Sequence, residues 1–84
     1  MKVITLNRKY DDTPETEVLF GINDINNIDE VKFIEKINKA VRPHTTSERA
    51  ESYAIEVLND LKQGRYFGDL NFYVYLDIEE IDIL

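Results

Sequence analysis

Apolar positions along this chain follow two periods, and where one gives way to the other marks the elements. Lys2 to Leu6 and Glu17 to Ile22 are short, β-rich runs that read as strands. The polar stretch Asn7 to Thr16 joins them, and its Asp11-Asp12-Thr13-Pro14 is turn chemistry. A hairpin with a long acidic loop is the expected result. Asn27 followed three residues later by Glu30 has the form of a capping box, opening a helix with Val31, Ile34, Ile37 and Val41 on one face. Pro43 ends that helix, because the residue before a proline is pushed out of the helical region. The second helix has the clearest pattern. Thr45 and Glu48 form another capping box, and Ala50, Tyr53, Ala54, Val57, Leu58 and Leu61 recur at helical spacing. Gly64 stands where a left-handed residue closes a helix. The final segment alternates, with Leu70, Phe72, Val74, Leu76 and Ile78 on one face and Asn71, Tyr73, Tyr75, Asp77 and Glu79 on the other.

The order β-β-α-α-β predicts an α+β two-layer sandwich: a mainly antiparallel sheet of three or four strands, with both helices on one face and the other face wet. Beyond Ile78 the alternation changes phase, placing Ile81 and Ile83 out of register with the inward set. A bulge at Glu79-Glu80, a fourth short strand, or an apolar tail of Ile81, Ile83 and Leu84 that seeks a partner would each account for it. No internal repeat, low-complexity tract or linker divides the 84 residues, so residues 1–84 read as one domain. Ile, Leu, Val and Phe together make 27 of the 84 residues, enough for one modest core. With no cysteine in the chain, that core must hold by packing.

Charge changes the picture next. Seventeen acidic residues against ten basic ones leave a net charge of -7. This balance argues against a polyanion as the main partner and against adhesion to anionic membranes. The N-terminus lacks the apolar core of a signal peptide and no run is long enough to span a bilayer, so a soluble, cytoplasmic protein is expected. The charge is uneven: residues 11–30 carry -7 and residues 69–84 carry -5, whereas residues 31–44 carry +3.

Candidate chemistry is sparse. His44 is the sole histidine, with no G-x-S-x-G elbow or spaced triad around it, and reads as a turn residue between two helices. Gly21, Gly64 and Gly68 make no phosphate-binding fingerprint. Gly64-Arg65-Tyr66-Phe67-Gly68 lacks the pattern of an RNA-stacking strand. A calcium loop beginning at Asp24 fails at Ile28 and Asp29, where a ligand and a glycine are needed. No cofactor or metal is implied, and the chain reads as a non-enzyme.

Two surfaces remain. The outer face of the last strand sets Tyr73 and Tyr75 beside Asp77 and Glu79, with Glu80 and Asp82 following, and tyrosine is favoured at interfaces. Lys32, Lys36 and Lys39, extended by Arg42, form a basic patch opposite the apolar face of the first helix. The leading expectation is a small acidic protein-binding module that uses the first surface on a protein partner with a basic surface. One form of it is an inhibitor occupying a nucleic-acid-binding site. Compact acidic inhibitors of phages and mobile elements share this size and charge, and the richness in Ile, Asn, Asp, Glu and Lys fits an AT-rich bacterial or phage genome. The alternatives are a homodimer joined through the C-terminal strand, and a regulator that touches nucleic acid through the basic patch, against which the acidic second helix speaks.

Overall fold

A computed structural model describes residues 1–9, 14–23 and 25–82, and every absence stated below concerns those residues. The expected hairpin forms from β1 (Lys2–Arg8) and β2 (Glu15–Ile22), each two residues longer at its loop end than the apolar pattern indicates. Polar pairs extend the ladder: Asn7 opposes Thr16, and Arg8 opposes Glu15 while bridging Glu15 at 3.1 Å and Glu17 at 3.7 Å. The Asp11-Asp12-Thr13 turn lies outside the described residues.

After a short 3-10 turn (Ile25–Asn27) comes α1 (Glu30–Val41). Its cap is Asp29 rather than Asn27: the Asp29 carboxylate accepts the Lys32 amide at 3.2 Å, and Asn27 is taken up by the preceding turn. The buried face is Phe33, Ile37 and Val41, with Ile34 partly covered, whereas Val31 is 67% exposed. At about 100° per residue, Val31 stands about 120° from Ile37 and Phe33 only about 40°. Phe33 meets Phe20 of β2 edge to face at 5.5 Å. A second 3-10 turn, Arg42–His44, carries Pro43 and leads to α2 (Ser47–Lys62). Thr46, one residue later than expected, caps α2 by accepting the Arg49 amide. All six expected core residues of α2, from Ala50 to Leu61, are buried. Gly64 adopts φ 67°, the left-handed geometry that follows a helix end.

The last strand, β3 (Val74–Glu80), starts later than the alternation suggests. Asn71 is the reason. Its Oδ1 accepts the amides of Tyr73 and Val74 at 2.8 and 2.9 Å, and the Leu70 amide donates to the Val74 carbonyl, so the chain turns here. Leu70 stays in the core, but Phe72, expected beside it, is 86% exposed.

The three strands form an antiparallel sheet in the order β2-β1-β3. The β1–β3 register runs unbroken from Arg8↔Val74 to Lys2↔Glu80, so the expected bulge at Glu79-Glu80 does not occur. The irregularity lies in β2, where Leu19 is the extra residue between the pairs Ile4↔Phe20 and Thr5↔Val18. Pairing with β1 continues past β3, since Ile81 and Met1 exchange backbone hydrogen bonds at 2.8 and 2.9 Å. No fourth strand is seen, and Ile83 and Leu84 lie outside the described residues.

Both helices cover one sheet face, where Ile4, Leu6, Val74 and Leu76 meet Ile37, Val41, Tyr53 and Val57 in one apolar cluster. Under β3, the buried Tyr53 hydroxyl donates to the Gly68 carbonyl at 2.7 Å and accepts the Leu76 amide at 3.2 Å. Glu30 and Lys62 tie the outer ends of the helices by an ion pair. No helix is long and apolar enough to cross a membrane.

Candidate protein-binding face

The uncovered sheet face follows from the pleat. Met1 and Ile81 exchange both backbone bonds, as one residue of each hydrogen-bonded pair must, and at the other end the Lys9 amide donates to the Tyr73 carbonyl at 2.7 Å. Counting between these anchors puts Tyr73, Tyr75, Asp77, Glu79 and Ile81 on the outer face, opposite Lys9, Asn7, Thr5, Val3 and Met1. On β2, Thr16, Val18 and Gly21 complete the row. The Met1 side chain lies across Gly21, where a Cβ would collide with it.

Beneath this surface runs a polar ladder that crosses all three strands. The Thr16 hydroxyl donates to Asn7 Oδ1 at 2.9 Å, Asn7 Nδ2 donates to Thr5 Oγ1 at 3.0 Å, and the Thr5 hydroxyl donates to the Asp77 carbonyl at 3.3 Å. Thr5 and Asn7 are buried although no helix covers them, because neighbouring strands flank both. With every member hydrogen-bonded, the ladder locks the strands together and leaves no polar group wanting a ligand.

The face ends in an aromatic ledge. Phe72 and Tyr73 pack edge to face at 5.1 Å on the turn set by Asn71, with Phe72 86% and Tyr73 48% exposed. The ledge is held from behind. Asn71 Nδ2 donates to the His44 carbonyl at 3.0 Å, and Arg49 donates to the carbonyls of Leu70 and Asp69 while pairing with Glu56. These ties anchor an exposed phenylalanine to α2 and the interhelical turn. Next along the face, the Lys9 ammonium sits 4.7 Å from the centre of the Tyr75 ring, a cation–π contact.

Four of the six residues expected at this site, Tyr73, Tyr75, Asp77 and Glu79, therefore share one face. The other two do not join them. Glu80 opposes Lys2, on the opposite side of the pleat, and its carboxylate takes the N-terminal ammonium at 3.1 Å, while Asp82 lies beyond the strand. With Lys9 present, the face is less acidic and more aromatic than the C-terminal charge sum suggests. Phe72, Met1 and Val18 are the members that the alternation pattern misses or misplaces, whereas Ile81 keeps the outward phase that the alternation gives it. The available signal was Asn71, an Asx-turn residue directly before an aromatic pair.

The basic patch is also rearranged. Lys32, Lys36 and Lys39 are exposed, as a solvated lysine face would be, and they also line an open groove beside β2, with the Lys36 ammonium 5.2 Å from the Phe20 ring. Arg42 is turned away, its Nε and Nη2 donating to Asn38 Oδ1 at 3.1 and 2.8 Å.

The described residues contain no cluster of three or more metal-ligating side chains. His44 sits half-buried in the interhelical turn. Burial pushes the Tyr53 phenol up to about 12, so at neutral pH it keeps its proton and serves as a structural donor. No family model, curated protein or solved structure matches this chain.

Proposed function

We propose that this chain is a small, non-enzymatic protein-binding module of the cytoplasm that engages a partner through its uncovered sheet face. The observation that carries this reading is the ledge: an exposed phenylalanine and a half-exposed tyrosine on an anchored turn beside Tyr75, Asp77 and Glu79. Aromatic side chains held in place lose little entropy on binding and dominate interface energetics. The partner presents a basic side chain. Lys9 over Tyr75 is the intramolecular version of that contact, and Asp77 and Glu79 supply the charge that complements it. Occupation of a nucleic-acid-binding site by such a face, as an inhibitor would do, is the most specific form of the proposal.

The test compares two variants in affinity capture from the source cells. Y73S/Y75S/D77N/E79Q is expected to lose the partner that the parent retains, whereas K32Q/K36Q/K39Q keeps it. Capture of the same protein by the sheet-face variant would refute the proposal.

The sheet edges bear on the alternative of pairing through the C-terminal strand. Four amides of β3 point away from β1, and three of them already donate to side chains, Val74 to Asn71, Leu76 to Tyr53 and Ile78 to Asp77, which leaves that of Glu80. That edge offers a twin strand none of those three donors.

A further inference from the structure

The opposite edge is built differently. The backbone groups of Thr16, Val18 and Gly21 point away from β1, and no described residue bonds to them. Directly below that edge lies α1, and the two enclose a groove. At one end Gly21 and Ile22 face Asp29 and Lys32, and at the other Leu19 and Phe20 face Lys36, Lys39 and Ala40. The floor is apolar, formed by Leu19, Phe20 and Ala40, and the helix wall carries three ammonium groups. None of the three forms an ion pair with a described carboxylate; Asp29, at the end of the groove, is engaged as the helix cap.

We propose that this groove binds an extended acidic segment of a protein partner, seated between the open edge of β2 and the lysine row of α1. Charge complementarity selects the occupant. Three exposed cations along one helix wall repel one another, and carboxylates seated beside them relieve that repulsion. Spacing selects an extended chain. Lys32 and Lys36 are about 6 Å apart along the helix axis, close to the roughly 6.7 Å between alternate side chains of a strand. Acidic residues at alternate positions therefore meet the lysines while the segment's backbone faces the free groups of Gly21 and Val18. The intervening apolar residues of the segment turn to the other side of its pleat, beside Val18. A nucleic acid fits less well, because a sugar–phosphate backbone cannot pair in register with the free amide and carbonyl groups of the β2 edge.

This site is independent of the sheet face, and a defined probe tests it separately. The probe is a fluorescein-labelled peptide alternating Glu with Val and Phe, titrated at low salt and followed by anisotropy, alongside its Lys-for-Glu counterpart and a single-stranded oligothymidine of equal charge. The acidic peptide is expected to bind, to weaken at least tenfold with K32Q/K36Q/K39Q, to be unaffected by Y73S/Y75S/D77N/E79Q, and to shift the amide resonances of Gly21 and Lys36. All seven substituted side chains lie on the surface or its margin, and circular dichroism is to check that both variants fold. Four results would overturn the proposal: no binding at millimolar peptide, binding indifferent to the lysine substitutions, binding of the oligothymidine as tight as that of the peptide, or a concentration-dependent doubling of mass that the lysine variant abolishes. The last would assign the groove to a second copy of the chain.

Discussion

Tyr53 holds more of this structure together than its place in an apolar stripe implies. Its ring fills the core under β3, and its hydroxyl satisfies both the Gly68 carbonyl and the Leu76 amide. Tyr53→Phe keeps the ring but strands the Leu76 amide, and is expected to cost about 1 to 3 kcal/mol in urea unfolding. The phenol also sets an alkaline limit. Its pKa is about 12 in the folded protein against 10 in the unfolded chain. The stabilisation is therefore complete below pH 10 and is lost as pH rises through 12, because the unfolded chain releases the proton first. In the Tyr53→Phe variant the fall in stability between pH 10 and 12 should be correspondingly shallower, as measured by chemical denaturation across that range. Thr5 plays a similar part on the outer face. Thr5→Val removes the acceptor of Asn7 Nδ2 and the donor to Asp77, with an expected loss of about 1 to 3 kcal/mol despite its similar shape. The period-2 pattern of β1 shows where Thr5 and Asn7 sit, but not that they are buried. Their burial is imposed by a neighbouring strand on either side.

At the scale of elements, sequence signals located both α-helices and all three strands; Lys2 and Ile22 bound the hairpin as expected, and the other ends lie within four residues of where the pattern put them. Competition between adjacent capping residues explains the helix starts. Thr45 and Thr46 both suit an N-cap, but the extended geometry needed there falls on Thr46 once the 3-10 turn through Pro43 is complete. Thr46→Ala is accordingly expected to lower the thermal midpoint by the equivalent of about 1 kcal/mol, and Thr45→Ala by much less. Scanning calorimetry of the two variants separates the caps. In α1 the stripe is anchored by Phe33, which finds Phe20 across the layer, so Val31 is left outside. The delayed start of β3 follows from Asn71, whose side chain replaces strand pairing with a turn and expels Phe72 from the core.

Seen as a whole molecule, the sheet has one edge, β3, whose outward amides are mostly engaged by side chains, one open edge, β2, and one bare face. The helices divide the other side, α1 lying by β2 and α2 by β3. The bare face carries the aromatic ledge. Because Phe72 touches little besides Tyr73, Phe72→Ala should leave the melting temperature nearly unchanged. If the ledge is the binding surface, the same substitution should weaken partner binding at least tenfold, and binding through Asp77 and Glu79 should fall as salt is raised. Calorimetry of stability and of binding on the single variant separates the two effects. A variant that destabilises the fold and spares binding would assign Phe72 to packing instead.

Local pattern alone determined the class of this protein: five elements in their order, the six core positions of α2, the left-handed Gly64, and an outer row of Tyr73, Tyr75, Asp77 and Glu79. Those features rest on spacing within a few residues, which a linear sequence records directly. Only the tertiary structure decided the strand order, the engaged amides on the β3 edge, the buried ladder, the exposure of Phe72 and the groove that runs between the lysine row and β2. Each of these depends on which side chain meets another from a distant part of the chain, as Tyr53 meets Leu76 and Phe20 meets Phe33, and periodicity carries no record of such meetings.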